Sequence, residues 1–171
     1  MTRPERLKKL ADEQRVMIAV AESITCGGIQ SLIGSVDGAS TFFLGGMTAY
    51  ALRQKVSLLG VDLTHAQLVD CVSETVANQM AAGAANLFGA DLTVATTGYA
   101  APTADGRNPF AHCVAYRRFP NGEVVTRHVK VSETRGLDRV EVQRLVAEMA
   151  LGLLLACLEP SILKLQANPT E

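Results

Sequence analysis

The chain has 171 residues, a formal net charge of -1, 48% hydrophobic residues and 19% charged ones. That length favours a single domain able to bury roughly 70% of its extended surface, and a composition this apolar excludes intrinsic disorder. Lys and Arg (16) do not outnumber Asp and Glu (17), which argues against a dedicated nucleic-acid binder, while 14 glycines and 5% aromatics suit a tightly turned α/β enzyme domain.

Leu7, Leu10 and Ala11 fall at helical spacing, so residues 4–15 read as an amphipathic helix. Val16 to Ala21 is a continuous apolar run, the signature of a strand buried on both faces. After it come Glu22 to Gly28 and then Ile29, Leu32, Ile33 and Val36 at i, i+3, i+4, i+7: strand, glycine turn, helix, with Thr25 as the expected N-cap. Val36 to Ser40 is turn chemistry, and Gly45-Gly46 punctuates the approach to a short strand near Met47 to Tyr50. A helix from about Leu52 to Leu59 ends at Gly60. Ser73 opens another, with Val76, Met80, Ala84 and Leu87 on one face and Gly89 closing it. Leu92 to Thr97 is the next strand, and Phe110 to Phe119 and Val124 to Val131 flank Asn121-Gly122, a hairpin turn. Asp138 with Glu141 resembles a capping box for a last helix that turns Val142, Leu145, Met149 and Leu153 inward and stops before Pro160. The alternation predicts an α/β fold of three layers, α/β/α, around a mixed, mostly parallel sheet that includes one hairpin. Residues 1–165 are expected to form one domain, with 166–171 a frayed tail.

The four cysteines, Cys26, Cys71, Cys113 and Cys157, are far apart, as in a chain from a reduced compartment. The first residues alternate in charge without the apolar stretch of a signal peptide, and the longest apolar run, Met149 to Leu158, is too short to span a bilayer. A cytoplasmic protein that avoids membranes is expected.

Two groups of residues could carry chemistry. A buried strand feeding a helix through Gly27-Gly28 would present amides at the helix N-terminus, with Ser23 and Thr25 adding hydroxyls: either an anion site or an ordinary capped turn. The spacing satisfies neither GxGxxG nor GxxxxGK. The second group is Ser40, Tyr50 and Lys55. A lysine whose pKa is lowered by burial can take a serine proton, and a tyrosine hydroxyl can relay it. By spacing alone these three are equally a turn serine, a half-buried strand tyrosine and a solvated helix lysine. Cys26, at a helix start, is an alternative nucleophile. Arg135 and Arg139 could bind an anion, and His65, His112 and His128 lack metal-ligand spacing.

Taken together, Ala21-Glu22-Ser23-Ile24-Thr25-Cys26-Gly27, then Gly38-Ala39-Ser40, Phe43, Gly45-Gly46, Tyr50, Lys55 and Leu59-Gly60-Val61, resemble the CinA C-terminal domain family. Val72-Ser73-Glu74 with Val76, Ala90-Asp91, Thr96-Thr97-Gly98 and Asp138-Arg139 extend the likeness over nearly the whole chain. The resemblance implies a stand-alone version without the N-terminal domain of full-length CinA proteins. It also implies a nicotinamide-nucleotide amidase that hydrolyses nicotinamide mononucleotide, or a related nucleotide amide, to the acid and ammonia. Carried over by position, Ser40 is the nucleophile and Tyr50 and Lys55 assist it, while Ser23, Thr25, Gly27, Thr97, Gly98 and Arg139 surround the substrate. No metal or cofactor is implied. Partners are limited to a small-molecule nucleotide, with no nucleic acid and no membrane; apolar helix faces and the likeness suggest a homo-oligomer. The family usually reads AESCTGG, where this chain has Ile24 and Cys26. It also usually continues I-A-G-P, a glycine-rich stretch and K-P-V-G-T, where this chain has Tyr99 to Pro102 and Asp105 to Ala111. The added bulk beside the expected pocket leaves the substrate open and keeps a non-catalytic nucleotide-binding module as the alternative.

Overall fold

The structure, a computed structural model, describes residues 1–159, so the expected tail at 166–171 lies outside the described residues. Helix α1 (Arg3–Gln14) begins at a complete capping box. The Glu5 amide donates to Thr2 Oγ1, the Thr2 amide donates to the Glu5 carboxylate, and a proline sits in the first turn. Strand β1 (Ile18–Glu22) is buried at all five residues. It starts two residues later than the apolar run suggests, because the Val16 amide still closes the helix by donating to the Ala11 carbonyl. Helix α2 (Gly28–Gly34) follows, then a single 3-10 turn (Ala39–Thr41) and strand β2 (Phe43–Thr48).

The start of β2 corrects the sequence reading: Gly45 and Gly46 lie inside the strand, not before it. A Cβ on Gly46 would collide with Val20 Cγ2 and come within 2.9 Å of the Gln30 side chain, so glycine is needed where β1 and α2 close over β2. Helix α3 (Leu52–Leu59) ends at Gly60 as expected, with φ of 67°. Helix α4 (Leu63–Leu68), capped by Asp62, was not legible, since six residues are too few to show a period. Helix α5 (Glu74–Phe88) runs from a Ser73 cap to Gly89. Val76, Met80 and Ala84 are buried there, but Leu87 is 52% exposed, because Ala77, Ala81 and Ala85 supply the rest of the packed face.

Strands β3 (Leu92–Tyr99), β4 (Phe110–Arg118) and β5 (Val124–Val131) precede helix α6 (Arg139–Leu158), which is opened by the Asp138–Glu141 capping box. Helix α6 buries Val142, Val146, Ala150, Leu151 and Leu154, whereas Met149 is exposed and Leu145 only half-buried. The inward face is thus set one position away from the expected Leu145–Met149 stripe, because α6 lies against α1, α2 and β4 together.

The sheet has the order β2-β1-β3-β4-β5. It is mixed and evenly divided rather than mostly parallel: β1 pairs with β2 and β3 in parallel, and β3–β4 and β4–β5 are antiparallel. One apolar cluster joins one face to α1, α2 and α6, and a second joins the other face to α3, α4 and α5. These are the three expected layers, and they leave the carboxyl ends of β2, β1 and β3 side by side. Among the described residues no helix is long and apolar enough to cross a membrane.

Candidate active site

In a parallel sheet, ligands bind beyond the carboxyl ends of the strands. A cavity of about 790 Å³ lies there, lined by Ser23, Tyr50, Lys55, Cys71, Thr97 and Arg139 among others. Ser23 directly follows β1, and its amide donates to the Thr96 carbonyl at 3.0 Å, which extends the β1–β3 ladder by one step and fixes the serine at the cavity floor. Thr97 and Gly98 come from the end of β3. A Cβ on Gly98 would lie 2.7 Å from the Ala111 Cα, so only glycine lets β4 pass. The Thr97 hydroxyl donates to the Cys71 carbonyl at 2.7 Å and anchors the segment before α5.

Lys55, in the first turn of α3, is 2% exposed. Its Nζ donates to the carbonyls of Ala49 (2.8 Å) and Tyr50 (2.7 Å), which lie beyond the last β1–β2 pair, and is 3.0 Å from Ser23 Oγ. Among the described residues no carboxylate pairs with it. Burial lowers its pKa; the nearby Cys71 thiol acts in the opposite direction but less strongly. The positive end of the α3 dipole also disfavours an ammonium there. A neutral amine has two hydrogens and one lone pair. Nζ donates to all three acceptors; once its extra proton is lost, the amine would keep two hydrogens for the carbonyls and turn its lone pair toward the Ser23 hydroxyl.

The carboxylate next to Ser23 in sequence, Glu22, is fully buried and committed elsewhere. Its Oε2 accepts from the amides of Gly27 (2.9 Å) and Ile29 (3.1 Å), and its Oε1 from Gln30 (2.9 Å). This corrects the reading of the glycine turn: the N-terminus of α2 is filled by the protein's own anion. Nor is Thr25 the cap. Gly27 holds that position without a side-chain bond, and the Thr25 hydroxyl pairs with that of Thr96 at 2.8 Å. Thr25, Gly27 and the exposed Cys26 line a separate groove between α2 and α6, away from Lys55.

Ser40 requires the largest correction. It is exposed in the 3-10 turn that precedes β2, whereas Tyr50 and Lys55 follow that strand. Six strand residues at roughly 3.3 Å each put the two ends about 20 Å apart. Ser40 does not line the cavity and cannot reach Lys55. The serine brought to the lysine is Ser23, expected only to surround the substrate. One signal could have found it: in an α/β sheet the reacting side chains follow strands, and Ser23 follows the most apolar strand in the chain.

Tyr50 reaches the site differently from a proton relay. Its carbonyl holds Lys55, while its hydroxyl, at the cavity rim, accepts from Arg139 Nη2 at 2.9 Å. Arg139 is the first residue of α6, and the Gln143 amide one turn on donates to the Ile24 carbonyl, so α6 clamps the turn that carries Ser23. Among the described residues no group of three or more His, Cys, Asp or Glu side chains gathers to hold a metal.

The family described as CinA C-terminal domain matches residues 2–158. Curated relatives named CinA-like protein include one from Thermosynechococcus vestitus, 39% identical over 77% of this chain and 32% of its own length. Another, from Sulfurihydrogenibium sp., is 34% identical over 88% of this chain and 36% of its own. The chain spans about a third of the length of these relatives. Among solved structures, the competence/damage inducible protein CihA from Agrobacterium tumefaciens is similar, with a TM-score of 0.79 and 27% identity over 92% of this chain and 96% of its own. A competence-damaged protein (CinA) superfamily protein from Escherichia coli gives 0.78 and 25% identity over 91% of this chain and 88% of its own. With a family match running almost from end to end of the described residues, the chain belongs to the CinA C-terminal domain family.

Proposed function

We propose that the protein is a serine amidohydrolase that cleaves the carboxamide of a nucleotide, nicotinamide mononucleotide or a close analogue, to the acid and ammonia. The observation that carries this reading is the buried Lys55 Nζ, held by two carbonyls and 3.0 Å from Ser23 Oγ at the cavity floor. Ser23 Oγ attacks the amide carbon as its proton passes to Nζ. Ile24 lines the cavity, and its amide, which donates to no acceptor among the described residues, would meet the oxyanion. The tetrahedral adduct collapses with cleavage of the C–N bond, and Lys55 returns its proton to the departing ammonia. Water, deprotonated by Lys55, then attacks the acyl carbon, and the C–Oγ bond of the ester breaks as Lys55 returns that proton to Ser23 Oγ.

At the rim, Arg139 carries a positive charge balanced by no carboxylate among the described residues. Because the Tyr50 hydroxyl accepts from Arg139, its own hydrogen is free to donate. Together they suit the substrate phosphate, which the α2 N-terminus cannot take. Ammonia release from nicotinamide mononucleotide, abolished in Ser23→Ala, tests the reading. Thermal stabilisation by the nucleotide without ammonia from the wild type would support the non-catalytic binding module instead.

A further inference from the structure

The cavity crosses three strand ends in the order β2, β1, β3, which spreads its charged groups from side to side. Tyr50 and Arg139 lie toward β2, Ser23 at β1, and Tyr99 with the Asp70–Cys71 segment toward β3. Asp105 and Arg107 also line the cavity, but their 2.8 Å ion pair cancels their charges. Apart from Lys55, whose charge burial disfavours, Arg139 on one side and Asp70 on the other carry the remaining charges of the lining. Neither forms an ion pair among the described residues.

Asp70 is held deliberately. Asp70 and Cys71 have φ of 48° and 62°, two consecutive non-glycine residues in the left-handed region, a conformation that persists only where the surroundings impose it. The Cys71 amide donates to the Ala66 carbonyl at 2.7 Å and the Cys71 carbonyl accepts from Thr97, so the turn is tied to α4 behind it and to β3. The Tyr99 hydroxyl donates to Asp70 Oδ2 at 3.0 Å. Burial and the adjacent carboxylate push the Tyr99 pKa up, which keeps the phenol protonated as a donor.

We propose that Asp70, oriented by Tyr99, selects a substrate whose amide-bearing ring carries a fixed positive charge, an N-substituted pyridinium, over the same molecule with a neutral ring. The inference rests on the amidase reading and specifies its substrate class. A zwitterion with a cationic ring and an anionic phosphate would meet Asp70 on the β3 side, Arg139 on the β2 side and Ser23 between them. A carboxylate about 4 Å from a ring cation in a water-accessible site gives discrimination of about fivefold.

The test compares nicotinamide mononucleotide with its 1,4-dihydro form, which has the same amide and phosphate but an uncharged ring. Dissociation constants are measured by calorimetry on Ser23→Ala, where the amide survives, and on Ser23→Ala with Asp70→Asn. Asparagine tolerates the left-handed backbone and still accepts from Tyr99, so only the charge is lost. The expected result is about fivefold tighter binding of the oxidised form, lost with Asp70→Asn and reduced in Tyr99→Phe. Equal binding of the two forms, or a preference that survives Asp70→Asn, overturns the inference alone, and ammonia release by the wild type then judges the amidase reading. Binding of neither form, with no ammonia from the wild type, overturns both.

Discussion

Replacing Lys55 with methionine separates chemistry from folding, because the thioether keeps the length of the side chain and removes only the amine. A general base contributes about 10²–10⁴ in rate, or about 3 to 5.5 kcal/mol at 1.36 kcal/mol per decade, so kcat/KM should fall by that factor. The effect on stability has a defined sign. Burial sets the folded-state pKa of Lys55 below its unfolded value of about 10.4. Between the two values the unfolded chain holds a proton that the native protein lacks. Unfolding therefore takes up a proton, and stability rises with pH by at most about 1.36 kcal/mol per unit. Below the folded-state pKa the native amine is charged too, and the slope vanishes. Urea denaturation from pH 6 to 10 should show this rise in the wild type and lose it in Lys55→Met; subtracting the two curves removes every other titrating group. Turnover that survives the substitution, or pH–stability curves that run parallel, would refute the neutral-amine account.

Other outcomes follow from the same geometry. Ser40→Ala should leave ammonia release within about twofold of wild type, since a surface substitution about 20 Å from the site costs little. Glu22→Gln places an NH₂ group against at least one of the three amides the carboxylate now accepts from, and should cost about 1–3 kcal/mol in thermal denaturation. Arg139→Ala removes the rim charge and should raise KM for nicotinamide mononucleotide about tenfold, with kcat changed much less; a fall confined to kcat would place Arg139 in the chemistry instead.

The layers of the fold were legible because their signals are local. The apolar run before Glu22 dictates a strand covered on both faces, Gly60 and Gly89 end helices in left-handed caps, and Asp138 with Glu141 opens α6. Tyr50 and Lys55 both line the cavity and Ser40 does not, because which serine meets a lysine depends on strand direction and register. Gly45-Gly46 reads as punctuation until Val20 and Gln30 are seen packed against it, and Ser40 is carried over by position from the resemblance, which says nothing of the strand between it and Lys55. The glycine turn misled for a similar reason. A helix N-terminus in sequence looks open to a phosphate, and only the folded chain shows the Glu22 carboxylate already there. Asp70 carries no sequence signal at all, since its meaning lies in a backbone conformation and in a tyrosine 29 residues away.

The central claim is that Ser23 is the activated nucleophile, and a fluorophosphonate probe tests it most directly. Peptide mass spectrometry should find the adduct on Ser23, formed faster as pH rises through the lowered Lys55 pKa and absent from Lys55→Met. Labelling at Ser40, or reaction at Ser23 that proceeds equally well without Lys55, would contradict the account.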